Sequence, residues 1–170
     1  MSPFSEPHSG SSFVMLLTGP GWGKSTAAFG YAARAAGRGH QVTIVQFLKG
    51  GAWNRPEASL LTGEGISWPV LTNALTWHED PKGFAAAAWG EAQQGLARPG
   101  LLILDELTRA VDHDLLQAAE IAGSIRSRHP ESSVIITGKN SMPELEEVAD
   151  IITRFDLLKH NERIGKPLAP

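Results

Sequence analysis

Two groups of residues in this 170-residue chain have types and spacing suited to holding phosphate and a divalent cation. The first is Thr18-Gly19-Pro20-Gly21-Trp22-Gly23-Lys24-Ser25-Thr26, in which three glycines alternate with other residues before a lysine and two hydroxyls. Glycines let backbone N–H groups turn toward one anion without a Cβ in the way. Lys24 brings a positive charge, and Ser25 a hydroxyl that can reach Mg2+. A helix opening here would aim its N-terminal dipole at the phosphates. The usual phosphate-loop formula, G-x-x-x-x-G-K-[ST], asks for glycine at position 18. The chain has Thr18 there, and Gly19 comes one residue late.

The second group is Asp105-Glu106, which closes the apolar run Leu101–Leu104. A carboxylate at the end of a buried strand, beside a phosphate loop, can hold Mg2+ or its waters. Adjacent residues at a strand end point to different faces. One acid can therefore serve the metal while the other is structural, and the residues alone do not say which. The run Thr76–Asp80, with His78, Glu79 and Asp80 in succession, is not read as a metal site, because adjacent side chains rarely converge on one ion.

These groups need a frame. Nearly continuous apolar runs at Phe13–Leu17, Val42–Phe47, Leu101–Leu104, Ser133–Gly138 and Asp150–Phe155 predict strands buried on both faces. Stretches at Ser25–Ala36, Gly83–Ala97, Asp114–Arg128 and Pro143–Val148 predict helices between them. The alternation implies an α/β fold: a single-domain, parallel, twisted sheet with helices on both faces. Residues 1–12 read as a flexible tail, 13–158 as the nucleotide-binding domain, and 159–170 as a tail that a ligand could order. The stretch Gly50–Pro81 reads as loops whose Trp53, Trp68 and Trp77 either cap the core, the favoured reading, or form a binding surface.

Composition narrows the classes. The formal net charge of -3 gives no pull toward nucleic acid or anionic membranes. No apolar run approaches the roughly 20 residues that span a bilayer. There is no cysteine, which excludes disulfides and thiolate chemistry and fits a reducing, cytoplasmic setting. No secretory signal is read at the start of the sequence.

The segments TGPGWGKSTAAFGYAARAAGRG, VTIVQFLKGG, LTW, LLILDELT, SVIITGKN and LLKH resemble, in order and spacing, the ATP:corrinoid adenosyltransferases of the CobA/BtuR/CobO type. The likeness runs from about Val14 to about Lys166. The shortened loop, T-G-x-G-x-G-K-[ST]-T, is itself a trait of that family. The resemblance implies a P-loop NTPase fold of the RecA-like type and a homodimer. It implies transfer of the 5′-deoxyadenosyl group of ATP to Co(I) of a reduced corrinoid, with release of triphosphate. Mg2+ or Mn2+ is the implied metal and a reduced flavoprotein the implied electron donor.

Residue by residue, the resemblance assigns ATP binding to Thr18, Gly19, Pro20, Gly21, Trp22, Gly23, Lys24, Ser25, Thr26 and Arg34. It assigns catalytic roles to Lys24 and Glu106, and the metal to Ser25 and Glu106, with Asp105 as the second acid. Leu75 and Trp77 fall on the segment that covers the corrinoid face. Gln46 and Lys49 match recurring positions. Trp22 stands where relatives often have lysine, and Leu75 where they carry an aromatic. The rival readings are an ATP hydrolase or kinase, and a nucleotide- or corrinoid-binding regulator without catalysis.

Overall fold

The structure, a computed structural model, describes residues 12–47, 61, 63, 65–69 and 79–164. Lys49, Trp53, Leu75, Trp77, His78 and residues 1–11 and 165–170 lie outside the described residues.

The chain runs β1 (Val14–Thr18), α1 (Lys24–Ala36), β2 (Val42–Gln46), β3 (Ile66–Ser67), α2 (Pro81–Leu96) and β4 (Gly100–Asp105). It continues through α3 (Leu107–Asp112), α4 (Ala118–Arg126), β5 (Ser132–Thr137), α5 (Pro143–Val148) and β6 (Ile151–Arg154), then a 3-10 turn at Glu162–Ile164. The six strands form one sheet in the order β3-β2-β4-β5-β1-β6, and every named pairing is parallel. Parallel strands need crossover helices, which cover both faces of the sheet.

Alternation along the strands divides the core. Val14, Leu16, Leu102, Leu104, Val134 and Ile136 face α2, α3, α4 and α5. Met15, Leu17, Ile44, Ile103 and Ile135 face α1, whose Ala28, Phe29 and Ala32 are buried against them. Trp68 packs on Phe29 with ring centroids 5.0 Å apart, which is the core-capping role expected of it.

Three elements differ from the sequence reading. The helix expected over Asp114–Arg128 is two shorter helices. Asp114 adopts φ 56°, a left-handed conformation that interrupts the α-helical path between Asp112 and Ala118. The turn it makes returns Leu115 N–H to Ala110 O and lets Leu115 and Leu116 pack on the core. β3 lies in the stretch read as loop; two residues are too few to leave a period. β6 is not buried on both faces. It is an edge strand, with Ile151 43% and Ile152 48% exposed.

Candidate functional site

β1 ends at Thr18, whose backbone is still in the ladder opposite Arg154 and accepts from Phe155 N–H at 2.8 Å. This explains the shortened motif. Position 18 is strand, so no glycine conformation is needed there, and the turn starts at Gly19 with φ 104°. Gly19 and Gly21 lie against the chain leaving β6. A Cβ on Gly21 would come within 2.7 Å of Phe155 C and 2.8 Å of Asp156 N, and one on Gly19 would collide with the Phe155 carbonyl. Their N–H groups are bonded to backbone: Gly19 N to Lys139 O at 3.0 Å, Gly21 N to Phe155 O at 2.8 Å. These two glycines therefore seat the loop on its neighbours.

Anion-facing donors must come from further along. Gly23 is the N-cap of α1, at φ 101°, and brings no side-chain oxygen. Helix geometry gives the N–H groups of residues 24–26 no intrahelical acceptor, and the first turn carries no acid. Ser25 is half-buried and Thr26 exposed at this end. The Lys24 ammonium folds over the loop and donates to Gly19 O at 2.7 Å and Gly21 O at 2.6 Å. Pro20 and Trp22 are exposed at the rim, and Trp22 meets His160 edge-on with centroids 4.7 Å apart.

The acid pair divides as different faces require. Asp105 is fully buried; it accepts from Gln46 Nε2 at 2.9 Å and from the Thr137 hydroxyl at 2.8 Å. Gln46 sits directly opposite Asp105 in the β2–β4 register, and its buried Oε1 has no protein partner. Glu106 is half-exposed and adopts φ 61°, ψ 27°, a left-handed conformation that L residues seldom take without cause. Its N–H donates to Thr137 Oγ1 at 2.9 Å.

The end of β5 joins the two groups. Thr137 holds both acids, Gly138 N bonds to Leu17 O at 3.2 Å, and Lys139 O accepts from Gly19 N and from Thr18 Oγ1 at 3.2 Å. Loop and acids thus share the carboxyl end of the sheet, the end where open α/β sheets bind ligands. Sequence reasoning does not single out Thr137, Lys139 or Phe155 as site residues, though the first two lie in the SVIITGKN segment; it reads His160 of LLKH as a surface or ligand-proximal group.

Arg34 does not join this group. It sits in the last turn of α1, about 15 Å along the helix from Lys24 at 1.5 Å per residue. Its guanidinium lies 6.0 Å from the Tyr31 ring centroid.

A glycine loop between a buried strand and a helix, with an acid pair on a nearby strand end of an all-parallel sheet, makes this an α/β protein consistent with the P-loop NTPase type. Residues 11–168 match the family of ATP:corrinoid adenosyltransferases, BtuR/CobO/CobP. The chain is 36% identical over 153 residues to the corrinoid adenosyltransferase CobA of Salmonella typhimurium, covering 86% of this chain and 78% of that protein. It is 37% identical over 159 residues to the corrinoid adenosyltransferase of Pseudomonas aeruginosa, covering 89% and 78%. It is 32% identical over 162 residues to that of a Sinorhizobium species, covering 89% and 75%. The chain belongs to the ATP:corrinoid adenosyltransferase family.

Proposed function

We propose that this protein transfers the 5′-deoxyadenosyl group of ATP to the cobalt of a Co(I) corrinoid and releases triphosphate. The observation that carries the reading is the bridge of Thr137–Lys139, which sets the Lys24 loop and the Asp105-Glu106 pair at one end of the sheet in a chain of this family. The reaction makes a Co–C5′ bond and breaks the C5′–O bond. The cobalt supplies the electron pair, and the triphosphate leaves with the other. A general base is unnecessary. The protein must align two ligands, exclude water, and stabilise charge on the departing oxygen.

For that task Lys24 exchanges its bonds to Gly19 O and Gly21 O for the triphosphate, while the amides opening α1 face the same anion. A divalent cation fits the donors present. Glu106 offers one half-exposed carboxylate and Ser25 a hydroxyl, and among the described residues no cluster of three or more acids or histidines forms an all-protein cage. Mg2+ favours such sparse protein ligation completed by phosphates and water. It would supply further charge neutralisation on the triphosphate. Asp105, bonded on both oxygens, orients the strand end. Thr18, Pro20, Trp22, Gly23 and Thr26 shape the loop around the triphosphate, and Leu75 and Trp77 take the corrinoid face.

We further assign a homodimer, cytoplasmic location and a reduced flavoprotein donor. The uncovered apolar edge of β6 supports self-association. No helix among the described residues is long and apolar enough to cross a membrane. The deciding experiment is anaerobic: protein, Mg-ATP and chemically reduced cob(I)alamin, followed by corrinoid absorbance and phosphate analysis. A light-sensitive alkylcobalamin with inorganic triphosphate is the expected result. ADP with phosphate would mean a hydrolase, and ligand binding without turnover a regulator.

A further inference from the structure

We propose that the cleft at the amino ends of β1, β4 and β5, opposite the phosphate loop, binds a small amphipathic anion: a carboxylate or phosphate ester on an aromatic or aliphatic body. The cleft is a groove open to solvent, with about 810 Å3 of space. That lies within the range of roughly 300–1,000 Å3 typical of small-molecule sites. Its floor is apolar, from Phe13, Ala35 and buried Leu101. Its rim carries Arg34, Arg38 and His40 against a single carboxylate, Glu131. This basic rim stands out in a chain whose formal net charge is -3.

Both arginines are exposed on the rim. No carboxylate among the described residues pairs with Arg34 or Arg38. Arg34 instead lies over the Tyr31 ring, which presents a flat guanidinium and an exposed aromatic edge together. A helix C-terminus ordinarily repels anions. Here the turn after α1 caps the last carbonyls: Gly37 N bonds to Ala33 O, His40 N and Arg38 N to Ala35 O, and Gly39 N to Ala36 O. The charge that faces the cleft is then that of the long side chains.

The test is fluorescence titration of the whole folded chain with 8-anilino-1-naphthalenesulfonate and with its uncharged counterpart N-phenyl-1-naphthylamine. The sulfonate should saturate and bind more tightly than the amine. The double variant Arg34→Gln/Arg38→Gln should weaken sulfonate binding about tenfold, as expected for lost hydrogen bonds to a charged group, with amine binding unchanged. Lys24→Ala should leave both unchanged. Glu131→Gln, which removes the opposing charge without touching the arginines, should tighten the sulfonate about twofold to threefold. Sulfonate affinity unchanged in the double variant and in Glu131→Gln would overturn the proposal. So would the absence of saturable binding, or loss of the sulfonate in Lys24→Ala, which would move the site to the loop.

Discussion

The hydroxyl of Thr137 donates to Asp105 Oδ1 at 2.8 Å and accepts the N–H of Glu106 at 2.9 Å. One side chain on β5 thus fixes both acids at the end of β4. Thr137→Val removes both bonds and leaves a buried carboxylate short of a donor. Stability should fall by about 2–3 kcal/mol in urea unfolding, because an unmet buried charge costs more than a neutral bond. Thr137→Ser should restore most of it.

Asp105 and Glu106 should respond oppositely to neutralisation. Asp105→Asn replaces one buried acceptor oxygen with an amide donor that faces the Gln46 or Thr137 donor, and should cost about 2–4 kcal/mol of stability. Glu106→Gln should unfold like the parent yet lose adenosyl transfer and its dependence on Mg2+. Glu106→Gly relieves the left-handed conformation at φ 61°, so its unfolding free energy should stay within about 1 kcal/mol of the parent while activity is lost. Thermal melts and the anaerobic assay on the three variants check this. An active Glu106→Gly would move the metal role to Asp105.

Lys24→Ala should lower adenosyl transfer at least about 100-fold, the scale of losing one charged donor at a developing oxyanion. Stability should change by less than about 1 kcal/mol, since the loop carbonyls to which the ammonium donates are partly exposed and can bond water instead. ATP binding by calorimetry separates a binding defect from a rate defect.

The loop glycines should fail for different reasons. Gly21→Ala meets Phe155 and Asp156 backbone and must displace the chain after β6. Gly23→Ala has room, its nearest neighbours being Phe155 ring atoms at 3.7 and 3.8 Å, and suffers only from φ 101°. That strain costs on the order of 1–3 kcal/mol. Proteolysis near residues 155–160 should therefore rise in Gly21→Ala and not in Gly23→Ala.

The frame and the loop were legible because each announces itself locally. Leu101–Leu104 is an unbroken apolar run ending in acids, and Gly19–Ser25 carries its chemistry in consecutive residues. The different settings of Asp105 and Glu106 were hidden, since the burial and bonding of Asp105 depend on Gln46 and Thr137, 59 and 32 residues away from it. The seat of Gly19 and Gly21 on Phe155 was hidden for the same reason. The exposure of β6 was concealed by its own composition: Ile151 and Ile152 read as core, and only strand order makes them an edge. Arg34 resembled a site residue by motif, but thirteen residues of α1 separate the two ends of that helix.

The strand order also dictates when the loop can form. β1 is the first strand made, yet its two neighbours are β5 and β6, with Val14 beside Val134 and Met15 beside Ile151. β2 and β4 can pair earlier. Contacts so distant in sequence carry a large loop-closure cost and come late in folding. During synthesis, which proceeds from the N-terminus, the strand that carries the phosphate loop waits for almost the whole chain. A truncated chain ending before β5 would hold every residue of the loop and none of its architecture.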